Sequence, residues 1–309
     1  MDISAYINYW NNVVRAWLDY DLADQDFKNE IDNVICHPKL KKVLRTHHVP
    51  GPYMGDPCNA SVVILNYNPG GQSDNDSMKD HKCLGCCKKY YSVINYIDRH
   101  GYNAFAKDFP YLNGNISAEL KKSLDGGKEW WSRKKDWIDN LTSNSTKFPF
   151  AMEVCGWHSK KWSSSVLKKL NVNGFDKYVK DAVVEPMIEV IKSNHTIGFC
   201  IGGAIGDMLL NMGFVNITDR LANHLNISSS AAVNVINVSP NNNGYTFILN
   251  SNVKTGRNYR LLWHKKKDAF VINTWVNGSN HHPSKDYFCL ERNIVSLIKS
   301  LSKTPIAIP

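Results

Sequence analysis

The chain has no long apolar run. Its longest weakly polar stretch, Thr196–Ile205, is far shorter than the roughly 20 residues a helix needs to cross a bilayer. The opening residues, MDISAYINYW, lack the basic start and apolar segment of a secretory leader. These two absences predict a soluble cytoplasmic chain with no membrane partner. Without a secretory route, the Asn-X-Ser/Thr triplets carry no glycans. On the same ground the eight cysteines read as thiols or metal ligands rather than disulfides. Internal repeats, low-complexity tracts and an evident linker are also missing, which predicts one domain over residues 1–309.

What is present fits a folded globular protein. The 309 residues are 43% apolar and 21% charged, which excludes a wholly disordered chain, a collagen and a coiled-coil rod. A chain of this length buries roughly 75% of its extended surface, so a core forms without staples. Basic residues number 37 and acidic residues 28, and the difference of +9 suits a polyanionic partner. Solubility charge is the plainer reading of the same sum.

Hydrophobic spacing outlines the elements. Tyr6, Trp10, Val13, Val14, Trp17 and Leu18 recur at three- and four-residue steps, predicting helix within residues 1–45. The Pro/Gly-rich passage His48–Pro57 predicts a loop. Ser61–Tyr67 is a continuous β-branched run, as in a strand buried on both faces of a parallel sheet. It stops at Asn68-Pro69-Gly70-Gly71, a turn signal. Residues 72–147 read as a mostly helical insertion before a second core strand, Phe148–Val154. A helix over Asp181–Ser193, a third strand over Thr196–Ile201 and a helix opened by Gly202-Gly203 follow. Tyr245–Asn250, Asn258–His264 and Asp268–Trp275 predict a partly antiparallel C-terminal portion, closed by a helix over Tyr287–Ser302. The alternation predicts an α/β fold: a three-layer α/β/α sandwich around a mainly parallel sheet.

In such sheets ligands bind beyond the carboxyl ends of the strands. Three predicted strands end in polar loops: Asn66–Gly71, Cys155–Trp162 and Asn280–Lys285. If the strands are parallel, the loops converge. Each loop alone has a plain reading: an Asn-Pro-Gly turn, surface histidines, or Ser159 capping a helix. Their joint occurrence in chain order is the stronger signal.

That combination resembles the uracil-DNA glycosylase superfamily. The first motif is Asn66-Tyr67-Asn68-Pro69-Gly70-Gly71 after Val62-Val63-Ile64-Leu65, and the second is His282-Pro283-Ser284. The resemblance spans residues 50–300. It implies hydrolysis of a glycosidic bond to a flipped-out base in double-stranded DNA, leaving an abasic site. It implies that Asn68 orients the attacking water and that His282 donates to the base O2 and stabilises the departing anion. Tyr67, Pro69 and Gly70 would line the base pocket, and Ser284 would grip a flanking phosphate. Ser159, Lys160, Lys161, Lys285 and Tyr287 would contact DNA; Tyr287 equally suits a first core contact of the last helix.

Departures from the pattern point away from plain uracil. Gly70 stands where the uracil-excising branch has a bulky Tyr, which widens the pocket beside a 5-substituent. The uracil-reading Asn has no match. Glu153 or His158 lies in that region, and a carboxylate accepts from an exocyclic amine. An ion pair is the alternative role for Glu153. The resemblance therefore implies a 5-modified pyrimidine, such as the glucosylated hydroxymethylcytosine removed by a phage-defence relative. A repair glycosylase for uracil or mismatched thymine, and a nucleic-acid-binding module that has lost its chemistry, are the alternatives.

The remaining features carry weaker signals. His81, Cys83, Cys86 and Cys87 have half the spacing of a zinc site, and no second Cys-X-X-Cys completes it, so no cofactor is expected. Gly202-Gly203-X-X-Gly206 lacks the Lys-Ser/Thr of a phosphate loop and reads as helix packing. Trp130, Trp131 and Trp157 offer base stacking or core packing. Lys265-Lys266-Lys267 suits a phosphate contact or a solvated turn.

Overall fold

The computed structural model describes residues 1–19, 44–45, 48–67, 92–124, 131–132, 135, 138, 148–159, 175–216, 236–238, 245–247 and 257–276. The chain divides into two compact units. The first comprises Met1–Pro57, Asn66–Arg133 and Phe150–Glu189; the second comprises Cys58–Leu65, Lys134–Pro149 and Val190–Pro309.

The first unit opens with helix α1 (Ile3–Asp19), whose buried residues Tyr6, Trp10, Val14 and Trp17 form one stripe at helical spacing. Asp2 starts it: its side chain accepts the Ala5 N–H at 2.7 Å. Strand β1 (Leu44–Arg45) pairs antiparallel with β5 (His158–Ser159). The helical reading of residues 1–45 therefore holds for α1 and fails at Leu44–Arg45. Strand β2 (Tyr53–Met54) lies inside the Pro/Gly-rich passage read as loop. It pairs antiparallel with β4 (Phe150–Glu153), an edge position where neighbouring Pro residues are tolerated. Helices α2 (Ser92–His100), α3 (Tyr102–Lys107) and α4 (Ala118–Ser123) lie between β3 (Val63–Asn66) and β4 in sequence. The Ser117 side chain caps α4 by accepting the Leu120 N–H at 3.2 Å.

Further along, α5 (Phe175–Val179) runs into a π-helical turn at Lys180–Val184 and then α6 (Glu185–Ser193). The Glu185 N–H bonds the Lys180 carbonyl, five residues back. Pro186 follows and has no N–H to continue the usual ladder, so the wider turn sits where the ladder breaks.

The second unit is built on β3 (Val63–Asn66), apart from its last residue, and β6 (Gly198–Ile201), both wholly buried. Val63, Ile64 and Leu65 pair parallel with Gly198, Phe199 and Cys200. Strand β11 (Ala269–Val276) pairs parallel with β6 on its other side, at Val271↔Gly198 through Thr274↔Ile201. Strand β10 (Arg257–His264) forms an antiparallel hairpin with β11, and β7 (Val215–Asn216) pairs antiparallel with β10. A separate antiparallel pair joins β8 (Ile236–Val238) to β9 (Tyr245–Phe247). Helix α7 (Gly203–Asn211) follows β6.

The full strand order is β2-β4-β3-β6-β11-β10-β7. The fold is α/β with a mixed seven-stranded sheet, and the expected mainly parallel sheet is corrected. Parallel pairing is confined to its centre, where fully buried strands such as β3 and β6 need cover on both faces. Strands with antiparallel partners occupy the edges.

Candidate functional site

The site begins where β3 and β4 end. The Val154 N–H donates to the Asn66 carbonyl at 2.9 Å, and the Cys155 N–H donates to the Tyr67 carbonyl at 2.9 Å. Residue numbers rise together along this pairing, so the two segments run in the same direction. Tyr67 and the start of the Cys155–Trp162 loop are thereby held side by side.

A polar pair sits at this junction. Asn66, the last residue of β3, is 5% exposed, and Glu153, the last of β4, is 8% exposed. Asn66 Nδ2 donates to Glu153 Oε1 at 3.2 Å. Buried polar groups are rarely left without partners, and this bond meets part of that demand for both. A carboxylate has about four lone-pair sites, so one amide donor does not exhaust it.

Three buried phenols belong to the same unit. Tyr6 Oη donates to the Pro52 carbonyl at 3.0 Å, and Tyr102 Oη donates to the Tyr53 carbonyl at 2.8 Å. Tyr53 Oη donates to Asn103 Oδ1 at 3.3 Å. The Tyr53 ring lies 5.8 Å from Tyr6 and meets Tyr102 edge-on at 5.2 Å. Burial pushes Tyr6 and Tyr102 well above the ordinary phenol range, and the Glu153 charge adds to both shifts. Burial raises Tyr53 as well. All three stay protonated and act as struts that fix β2 and the preceding Pro52, whose carbonyl also accepts the Glu153 N–H at 2.9 Å.

His158 lies in β5, half-buried, with its ring stacked on His48 at 5.0 Å between centroids. His158 Nε2 is 3.1 Å from the Val49 carbonyl oxygen, a partner that only an Nε2–H can serve. His48 is 1% exposed. Gly156 lets this loop close: a Cβ there would lie 2.6 Å from Trp10 Cη2 and 3.0 Å from Pro52 Cβ. Trp157 is fully buried, and Trp131 is buried edge-on against Phe109 at 4.8 Å. Both pack the core, and neither offers a face for base stacking.

Asn68, Pro69, Gly70, Lys160, Lys161, His282, Ser284, Lys285 and Tyr287 lie outside the described residues, as do His81, Cys83, Cys86, Cys87 and Trp130. Among the described residues, no group of three or more His, Cys, Asp or Glu side chains is placed to hold a metal. No helix of the described residues is long and apolar enough to cross a membrane. The site residues that sequence reasoning passed over are Asn66 and His48. The signal for Asn66 was there: it is a polar residue closing an apolar run too continuous to leave it in water.

No family model, curated protein or solved structure matches the chain.

The second unit has its own polar centre, around Arg260. Its Nε donates to Asn273 Oδ1 at 2.7 Å, and Nη2 donates to the Gly203 carbonyl and to Asp207 Oδ1, each at 2.8 Å. The guanidinium also lies 4.8 Å from the centre of the Trp275 ring. Asn273 Nδ2 donates in turn to the Cys200 and Gly202 carbonyls, at 3.2 and 2.9 Å. Gly203 packs on Trp275, and a Cβ at Gly206 would run into Asn273 and Arg260. The glycine pattern there serves helix packing. Lys265, Lys266 and Lys267 form the exposed turn of the β10–β11 hairpin.

Proposed function

We propose that the protein is a monofunctional DNA glycosylase of the uracil-DNA glycosylase type. It hydrolyses the N-glycosidic bond of a flipped-out 5-modified pyrimidine in double-stranded DNA, and glucosylated hydroxymethylcytosine is the leading substrate. On this reading the sheet is the centre of the three-layer sandwich typical of that superfamily. The observation that carries the reading is the Asn66–Glu153 bond at the paired ends of β3 and β4. It sets the strand that leads into Asn68-Pro69-Gly70 beside the strand that leads into His158. The parallel run of β3, β6 and β11 within the second unit adds support. It sends β11, the strand before His282, in the same direction as β3.

In the reaction the C1′–N1 bond breaks, water supplies hydroxide to C1′, and the remaining proton goes to the base. The sugar becomes oxocarbenium-like and the base anionic, so stabilising charge matters most. Asn68 orients the water; as an amide it is a poor base, which puts more of the work on leaving-group stabilisation by His282. Glu153 accepts from the 4-amino group of the base. Gly70 leaves room beside the 5-substituent. Ser159, Lys160, Lys161, Ser284, Lys285 and Tyr287 hold the DNA.

The test is an abasic-site assay on duplexes carrying cytosine, uracil, mismatched thymine, hydroxymethylcytosine or glucosylated hydroxymethylcytosine, with alkali to reveal strand breaks. The expected result is cleavage at one modified base, reduced by about 100-fold or more in Asn68→Ala. Salt-sensitive binding with no cleavage of any substrate would replace the enzyme with a binding module.

A further inference from the structure

The Asn66–Glu153 bond has a polarity that bears on base selection. Asn66 Nδ2 donates and Glu153 Oε1 accepts at 3.2 Å, with both residues buried. We propose that Asn66 is a positioning residue that holds Glu153 as an acceptor toward the 4-position of the base, so the site selects 4-amino over 4-oxo pyrimidines. This rests on the glycosylase reading above.

The physical case starts from donor inventories. An ionised carboxylate only accepts, and the Asn66 amide meets Glu153 with its N–H, the matching polarity. A 4-amino group donates to such an acceptor, whereas a 4-oxo group sets a second acceptor against it. In a buried site the mismatch costs about tenfold to hundredfold. The neighbouring phenols do not take over the donor role. The single O–H protons of Tyr6 and Tyr102 go to the Pro52 and Tyr53 carbonyls. The Asn66 and Glu153 backbones are both pinned, by Val154 N–H to the Asn66 carbonyl and by Glu153 N–H to the Pro52 carbonyl, each at 2.9 Å. The Asn66 amide thus meets the carboxylate from a fixed base.

The experiment uses two duplexes that differ only at the 4-position: 5-(glucosyloxymethyl)cytosine against 5-(glucosyloxymethyl)uracil. Release of each base is measured for the full-length protein, for Glu153→Gln and for Asn66→Asp combined with Glu153→Gln. Wild type is expected to favour the cytosine form by about tenfold or more. Glu153→Gln is isosteric, and with two amides facing each other either orientation forms a bond, so the preference should collapse. In the double variant the new carboxylate on β3 can only accept. The new amide on β4 must then give it the N–H and turn its own oxygen to the base, which restores the cytosine preference. A merely structural bond would change both rates together and leave the ratio alone. An unchanged ratio in Glu153→Gln overturns the proposal while the glycosylase reading stands. So does a folded double variant that does not regain the preference. Release of neither base by wild type, with none of the other modified bases cut, removes the glycosylase reading and the proposal with it.

Discussion

At the scale of single residues, burial decides which side chains have chemistry. Cys58 is exposed, while Cys155 and Cys200 are buried. Burial pushes the Cys200 thiol from an ordinary 9.0 up to about 12, against smaller lowering effects of Asn273 and Arg260. At neutral pH it is therefore a thiol, and a thiol is not the nucleophile. Pulse labelling with a maleimide, read peptide by peptide, should modify Cys58 in the native protein and reach Cys155 and Cys200 only after unfolding. Fast labelling of Cys200 at pH 7 would contradict its burial. The sign of the pH effect follows. Folded Cys200 holds its proton more tightly than the unfolded thiol, so its contribution to stability is complete below pH 9 and is lost as the pH rises toward 12. The same residue-by-residue view separates the tryptophans from the polar pair. Trp157 offered base stacking or core packing, with packing the commoner role, and its burial assigns it to the core.

At the scale of elements, Arg260 ties β10 to β11 and to the first turn of α7. The Arg260 side chain is 14% exposed and that of Asp207 is 67% exposed, so this ion pair by itself is worth little. The larger effect is the bond to Asn273, which is fully buried. Arg260→Ala leaves Asn273 Oδ1 without that donor, and the expected loss is about 1–3 kcal/mol, read as a lower midpoint in urea. Asp207→Ala should cost less than about 1 kcal/mol. Equal losses for the two variants would mean that the ion pair, and not the buried amide, holds the elements together. Strand boundaries at this scale were legible wherever the apolar run was continuous. Val63–Asn66, Phe150–Glu153 and Gly198–Ile201 all fall inside runs that demand burial on both faces. Strand β2 was not legible, because Tyr53–Met54 is flanked by Pro and Gly and gains strand geometry only by pairing with β4. Strand β5 was hidden for the same reason: His158–Ser159 is defined by its partner Leu44–Arg45 and not by its own propensity.

At the scale of the whole molecule, the net charge of +9 is the property that a DNA-bound function uses first. Binding to a non-substrate duplex should weaken linearly on a log–log plot against salt, with a slope of about −0.9 per phosphate neutralised. Replacing Lys160, Lys161 or Lys285 by Ala should each reduce that slope by about 1. Replacing Lys265, Lys266 and Lys267 together, in the exposed hairpin turn, should change it less if they are only solvated charge. A slope unaffected by the first three variants would move the DNA path away from the proposed site. The sequence by itself determined the α/β character, the central strands and the chain order of the loop motifs. Each depends on local hydrophobic period or on composition, which the chain carries wherever it folds. Only the tertiary structure decided that the sheet is mixed, that Trp131 and Trp157 are core, and that Asn66 and Glu153 meet. Each of those facts is a pairing between residues far apart in sequence, such as 66 and 153, and no local pattern encodes which distant partner a buried polar side chain will find.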